Sequence, residues 1–458
     1  MLSSGMLKRK ITPCLLFIGF LIGYAFPGQA ESTPDTLFLS IAEAESRFMK
    51  GNLLLLAQKL NIEASRALEV QAGLWSNPTL YLEQSVYNPA SRRMFPTQVG
   101  EAGNPASQGE NIVQINQLFL LAGKRGKQIN LAKINSEMAE YTFYDLVRSL
   151  KYQLRTNFFN IYYLQQSLSV YQQQIASLQK TASLYQAQYE KGNVPLKEVV
   201  RLKAFLFTLE NDQKNLRTQI TESQATLAVL LNDTVGAVRR NGPSAGRQPS
   251  VQMYYVPVLN RAAIDRLSLQ GFQVADLVEQ ARSHRYDLKV YEATTRYEKQ
   301  NLSYQKALAV PDIRLGGVYD RNGSYIPNYY GVNMQIDLPL FNRNQGSIQA
   351  AKSRIQASQA ALEQYQVQVE KEVWQAYQKT IQADLLFKGL DPTYEADFER
   401  LIAGINLSYQ KKNITLLDFI DFYESYKNNV LLLNQLQNER MNALEELNYV
   451  TGKNWFDY

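Results

Sequence analysis

The chain has 458 residues, with 48 Lys and Arg against 42 Asp and Glu, a net charge of +6. A single His and a single Cys leave Ser-His triads, His metal clusters and thiolate zinc sites without their parts. No glycine-rich phosphate loop is present, and the charge is too small to argue for nucleic acid. The sequence therefore assigns no catalytic, cofactor-binding or metal-ligating residue.

In chain order, Lys8, Arg9 and Lys10 precede an apolar run from Leu15 to Phe26, and Gly28-Gln29-Ala30 supplies small residues beyond it. That order predicts a secretory signal peptide over residues 1–30. Cys14 lies before the apolar run, where lipid attachment is not expected. Removing the segment takes away the only Cys and three positive charges, so the mature protein has no disulfide.

The rest of the chain repeats itself. Tyr189-Glu-Lys-Gly-Asn-Val-Pro-Leu196 returns as Tyr409-Gln-Lys-Lys-Asn-Ile-Thr-Leu416, and Leu118, Leu120 and Gly126 meet Leu338, Leu340 and Gly346 at the same spacing. Residues 31–231 and 271–458 read as two structural repeats around a Gly- and Pro-rich connector, 232–270, with one short strand near 251–256. Each repeat opens with a helix, 38–74 and 274–309. Each then changes to a period of two. Leu80, Leu82 and Val86 alternate with Tyr81, Glu83 and Ser85, and Val332, Met334, Ile336 and Leu338 with Asn333, Gln335 and Asp337. These are half-apolar strands, with partners near 110–119 and 313–320. Tyr81, Tyr87, Tyr319, Tyr325, Tyr329 and Tyr330 lie in or beside them, as in an interfacial aromatic girdle.

After each strand pair comes a long helical hairpin. Leu150, Leu154, Phe158, Ile161, Leu164, Leu168, Tyr171, Ile175, Leu178, Ala182, Tyr185 and Tyr189 step by three or four, and Leu202, Leu206, Leu209, Leu216, Ile220, Leu227 and Leu230 answer on the return. That is coiled-coil spacing. The turns fall near 191–195 and 411–415. Asp391-Pro392 predicts a break in the second hairpin. Four strands with an apolar face leave exposed edges. Three copies sharing strands would close twelve into a barrel and would ring one axis with helices.

This order of parts resembles the TolC-like outer-membrane efflux family over nearly all of residues 38–452. The carriers are the two tip segments, Asn77-Pro78, Leu338-Pro-Leu-Phe-Asn342 and Arg285-Tyr-Asp-Leu288, where Tyr286 stands in place of the family's Pro. The resemblance implies a mainly α fold with a small β part. It implies a homotrimer, an α-helical tunnel in the periplasm capped by a 12-stranded barrel in outer-membrane lipid, four strands per protomer. It also implies a periplasmic adaptor and an inner-membrane pump driven by proton flux or ATP, proton flux being the expectation. Asn52 to Pro78 and Phe419-Ile-Asp-Phe-Tyr-Glu-Ser-Tyr426 look like the heavy-metal cation efflux branch, although the mature chain's Met residues are scattered rather than clustered.

By the same resemblance, Tyr409, Asp418 and Asp421 would form a gate at the periplasmic opening. Gly192, Asn193, Pro195 and Leu196, with Asn413, Thr415 and Leu416, would dock the adaptor. The family's gate Arg is Ile414 here, so its salt bridge to the first hairpin at Glu198 is missing. Ordinary helix chemistry accounts for the same residues. Thr415-Leu-Leu-Asp418 is a capping-box pattern, and the tips need Gly or Asn to turn. A secreted coiled-coil scaffold without a pore is the alternative function. It leaves two strand pairs at equivalent points of a duplication unexplained.

Overall fold

A computed structural model of the chain describes residues 35–89, 92–96, 109–233, 253–269, 271–321, 326–391, 393–411 and 413–456. The expected signal peptide, most of the connector, Pro392 and parts of the loops over 85–110 and 321–328 lie outside the described residues. Two compact units divide the chain, 1–35 with 235–253 and 36–234 with 254–458. The elements below belong to the second, apart from the first residue of β1 and of β6.

β1 (Asp35–Leu39) leads into α1 (Ile41–Gly51) and α2 (Leu53–Ala72). The first repeat therefore opens with a strand and two helices, where the sequence predicted one helix over 38–74. The break has a clear cause. Ser40 and Glu43 close a reciprocal capping box that starts α1. Buried Asn52 then accepts from the N–H groups of Leu54 and Leu55 and donates to the carbonyl of Leu230 at 2.9 Å. One carboxamide thus begins α2 and ties it to the far end of the first hairpin.

β2 (Thr79–Gln84) follows, then the short pair β3 (Tyr87–Asn88) and β4 (Arg93–Met94) in the loop over 85–110, and β5 (Asn111–Phe119). α3 (Lys124–Glu190) is a single helix of 67 residues, about 100 Å long at 1.5 Å per residue. α4 (Leu196–Leu231) returns over 36 residues, about 54 Å. β6 (Met253–Pro257) pairs with β1, a partner absent from the sequence reading, whose first helix over 38–74 overlaps the end of β1. α5 (Arg261–Asp265) closes the described part of the connector.

The second repeat has α6 (Val274–His284), α7 (Tyr286–Leu308), β7 (Ile313–Asp320), β8 (Tyr329–Ile336), α8 (Gln345–Lys388), α9 (Tyr394–Gln410) and α10 (Leu416–Thr451). The helix expected over 274–309 is broken at Arg285, and the predicted interruption at Asp391 separates α8 from α9.

β2, β5, β7 and β8 form one antiparallel sheet in the order β2-β5-β7-β8. Its register aligns Leu80, Ile115, Gly317 and Val332 across the sheet, and Leu82, Val113, Tyr319 and Tyr330 in the next row. Strand alternation therefore gathers the apolar side chains on one face. That face is bare, with Val332 93%, Leu82 65% and Met334 65% exposed. The opposite face carries Gln114, Asn116, Asn333 and Gln335. Gly316 sits between two of these amides, and a Cβ there would lie 2.0 Å from Asn116 Oδ1 and 2.7 Å from Asn333 Oδ1. Only glycine leaves both carboxamides in place.

The helical core runs along the predicted seam. Leu154, Phe158, Ile161, Leu178, Leu202, Leu209 and Leu227 are buried, whereas Tyr189, at the end of the seam, is exposed. Polar side chains interrupt the packing. Asn434 donates to Ser167 Oγ and Asn438 to Asn160 Oδ1, and both polar atoms of buried Gln174 lack a partner among the described residues.

The break at Arg285 is held by a buried ionic cluster. Arg285 donates to Asp287 Oδ2 at 2.7 Å and to Glu372 Oε2 at 2.6 Å, Arg148 reaches Asp287 at 2.6 Å, and the Tyr365 hydroxyl donates to Asp287 at 2.8 Å. Burial alone would raise the Asp287 pKa. The hydrogen bonds from Arg285 and the charge of Arg148 outweigh it and lower the value from 3.8 to about 2. A lowered folded pKa stabilises the fold fully above the unfolded value and loses that contribution as pH falls through the folded one. The acid limb of thermal stability should therefore steepen between pH 3.8 and about 2. Asp287→Asn should remove that component. An unchanged acid limb in the variant would assign the loss to other carboxylates.

Candidate functional site

The two hairpin turns are built by different local chemistry. At the first, Gly192 takes a left-handed φ of +74° with open space around its Cα. Its N–H donates to Tyr189 O, and Asn193 reaches back to Gln188 through backbone and side chain. Pro195 precedes the first residue of α4. Gly192, Asn193, Pro195 and Leu196 are all exposed. At the second turn the N–H of Asn413 donates to Ser408 O, and Thr415 caps α10. Asn413 and Thr415 are exposed, but Leu416 is buried, and Leu417 is the exposed apolar residue there at 55%. The repeat pairs Leu416 with Leu196, yet the two sit in opposite environments.

The three residues singled out as a gate do not lie together in one setting. Asp418 and Asp421 are exposed on the first turns of α10, three residues apart and so on one helix face. Asp418 is engaged. Its carboxylate accepts from Thr415 Oγ1 at 2.6 Å and from Thr415 N–H at 3.1 Å, while its own N–H donates to Thr415 Oγ1. Those bonds from Thr415 lower its pKa. The capping role read from the sequence is thus present, and the side chain remains a solvent-facing anion.

Tyr409 is buried inside the hairpin pair, at 3% exposure. Its ring stacks on Phe419 of α10 at 4.1 Å and on Tyr185 of α3 at 5.2 Å, and Phe419 continues the stack to Tyr423 at 4.7 Å. The Tyr423 hydroxyl donates to Asn406 and lies 3.0 Å from Ser177 Oγ on α3. Ile402, Ile405 and Ile414 pack on the same cluster. Burial pushes the Tyr409 hydroxyl well above the ordinary phenol range, and that hydroxyl has no hydrogen-bond partner among the described residues. Where the resembled family has an ionic latch, α3, α9 and α10 are joined here by stacked rings and branched aliphatics. Tyr185, Phe419 and Tyr423 carry this contact. Their seam spacing was readable, but their meeting across two hairpins was not.

Long helical hairpins joined to a sheet whose apolar face is exposed are the parts of the class of outer-membrane channel proteins. Among the described residues no helix is long and apolar enough to cross a membrane, and no group of three or more His, Cys, Asp or Glu is placed to hold a metal ion. The family described as outer membrane efflux protein matches residues 46–233 and 277–388, and the chain belongs to that family. It is 21% identical over 360 residues to the nickel-cobalt-cadmium resistance protein NccC of Alcaligenes xylosoxydans xylosoxydans, spanning 78% of this chain and 72% of that protein. The fold is similar to that of the Campylobacter jejuni CmeC outer membrane channel, with a TM-score of 0.70 at 12% identity, covering 91% of this chain and 87% of that one. CusC, a protein that forms a transmembrane channel, superposes with a TM-score of 0.68 at 17% identity over 93% of this chain and 96% of its own. The protein is an outer-membrane efflux channel with a large periplasmic helical part.

Proposed function

We propose that three copies close their sheets into one twelve-stranded barrel, stack their hairpins into a periplasmic tunnel, and export heavy-metal cations as the outer component of a tripartite pump. The observation that carries this reading is the inverted sheet. Its apolar face is exposed, its amide face is polar, and strands β2 and β8 are both open edges. A lipid-facing exterior with a wet lumen has that polarity, and pairing β8 of one copy with β2 of the next removes every edge. A soluble scaffold would have to leave this face in water. The similarity to NccC supports metal cargo. The repeats, 31–231 and 271–458, then each form about one sixth of the wall, two from every copy, and the connector, 232–270, lies between them in the chain.

The tips, through exposed Gly192, Asn193, Pro195, Leu196, Asn413, Thr415 and Leu417, are the surface for the periplasmic adaptor, which links the channel to a proton-driven inner-membrane pump. Asp418 and Asp421 place six carboxylates near the threefold axis of a trimer, an acidic ring that favours cations. Planar-bilayer recording of the purified protein tests the pore. The wild type should be cation-selective and blocked by a trivalent cation. Asp418→Asn/Asp421→Asn should lose most of both while remaining trimeric. Unchanged selectivity and block would remove these residues from the gate. Deleting the gene should sensitise cells to nickel, cobalt or cadmium salts, and sensitisation only to organic toxicants would sink the metal assignment.

A further inference from the structure

The foot of the sheet, where its strands pass into the helices, carries large apolar side chains that none of the described residues covers. Trp75, Leu338, Leu340 and Phe341 are exposed, Phe341 at 92%. They are not placed at random. Trp75 meets Phe119, the last residue of β5, edge-on at 6.3 Å. The Arg125 guanidinium lies 4.4 Å above the Trp75 ring. Lys127 follows two residues later and donates to Ala122 O. In the second repeat, Leu340 and Phe341 are followed by exposed Arg343. So each repeat sets an apolar cluster directly beside a basic side chain at the same level of the fold.

The charges there are uncompensated within the chain. Neighbouring Lys124 is neutralised by Asp312 at 2.6 Å. Among the described residues no ion pair engages Arg125, Lys127 or Arg343. Asp337 is the acidic residue of the band, which leaves it net positive. A cation held over an indole face gains from the ring quadrupole, and the pair presents one apolar body with one charged tip. Such groups settle where acyl chains give way to headgroups.

We propose that the foot of the sheet binds an anionic glycerophospholipid, its acyl chains against Trp75 and Phe119 and its phosphate on Arg125 with Lys127. The Leu340, Phe341 and Arg343 cluster is the matching site of the second repeat. The guanidinium fork suits a phosphate's paired oxygens. The helical end of the sheet faces the periplasm, so the leaflet at this level is the phospholipid one. The inference rests on the membrane-spanning reading of the sheet.

Trp75 is its own reporter. The sequence has three Trp, and Trp374→Phe/Trp455→Phe leaves Trp75 alone. The full-length protein is placed in phosphatidylcholine vesicles. A small, equal mole fraction of lipid is then replaced by dibrominated phosphatidylglycerol or by dibrominated phosphatidylcholine. One basic group at an anionic lipid surface gives about fivefold local enrichment. Bromo-phosphatidylglycerol should therefore quench Trp75 much more deeply, and the difference should shrink at high salt. Arg125→Gln/Lys127→Gln should bring the two lipids to equal quenching, while Arg125→Lys keeps the preference. Equal quenching in the parent overturns the anionic site. A preference that survives Arg125→Gln/Lys127→Gln overturns its assignment to these side chains. No quenching by either lipid overturns the membrane-spanning reading on which the site rests.

Discussion

Tyr409→Ala should loosen the contact between the two hairpins by about 3–5 kcal/mol, the usual cost of deleting a buried aromatic ring. Tyr409→Phe should leave it unchanged or slightly tighter. The ring is nearly fully buried between Phe419 and Tyr185, so alanine leaves a cavity in the middle of the stack. The hydroxyl is buried without a well-formed hydrogen bond among the described residues, with the Tyr185 side chain as its polar neighbour, so removing it costs little. Amide hydrogen exchange over Tyr394–Gln410 should rise in the alanine variant and stay flat in the phenylalanine one. Open-channel conductance in bilayers should follow the same order. Because Ile414 and the rings carry the contact, moderate salt should change it little, in contrast to an ionic latch. A phenylalanine variant as leaky as the alanine one would mean that the hydroxyl, not the stack, holds the hairpins.

Arg440→Met should open the junction between α8 and α9. Arg440 is 1% exposed and binds two separate pieces of chain. Nε donates to Asp384 at 2.9 Å, and the terminal nitrogens donate to the carbonyls of Ile264 and Leu267 at 3.2 and 3.0 Å. Its guanidinium also lies 4.4 Å over the Phe387 ring. Methionine fills much of the volume but strands two carbonyls and leaves Asp384 with Lys388 alone, at 2.7 Å. Breaking one side of a buried pair costs about 3–5 kcal/mol, whereas replacing both sides costs far less. Arg440→Met/Asp384→Leu should recover part of the loss. Limited proteolysis reads the effect locally, with faster cleavage between Lys388 and Tyr394 in the single variant. Equal cleavage in wild type and variant would show that the aromatic and aliphatic packing alone holds the junction.

The parts of the fold governed by period and punctuation were legible. Alternation from Leu80 and from Val332 gave the strands, three-and-four spacing gave the α3 seam, and Gly192 and Pro195 gave the first turn. Misreadings arose where a tertiary bond overrode local propensity. Asn52 breaks a helix because Leu230, far along the chain, takes its amide, and Arg285 breaks another because Asp287 and Glu372 hold it. Leu230 and Glu372 lie far outside any local window of sequence. The site was legible in identity and not in environment. Tyr409 and Leu416 were singled out by resemblance to the family, but whether such a residue faces solvent or core depends on how α9 and α10 pack against α3. Asp418 shows the reverse case, since Thr415 three residues before it already stated its capping role.

The two repeats have the same parts and different stiffness. α3 runs from sheet to tip as one unbroken helix, while the corresponding length of the second repeat is divided into α8 and α9. Bending a continuous helix strains a whole ladder of hydrogen bonds, whereas a break concentrates the change in a few backbone dihedrals. A load applied at the tips is therefore carried by α3 as a strut and by α8 and α9 as a jointed arm. Travel falls to the second copy and alignment to the first. Tandem duplication has here divided one mechanical task between a member that resists flexure and a member that permits it.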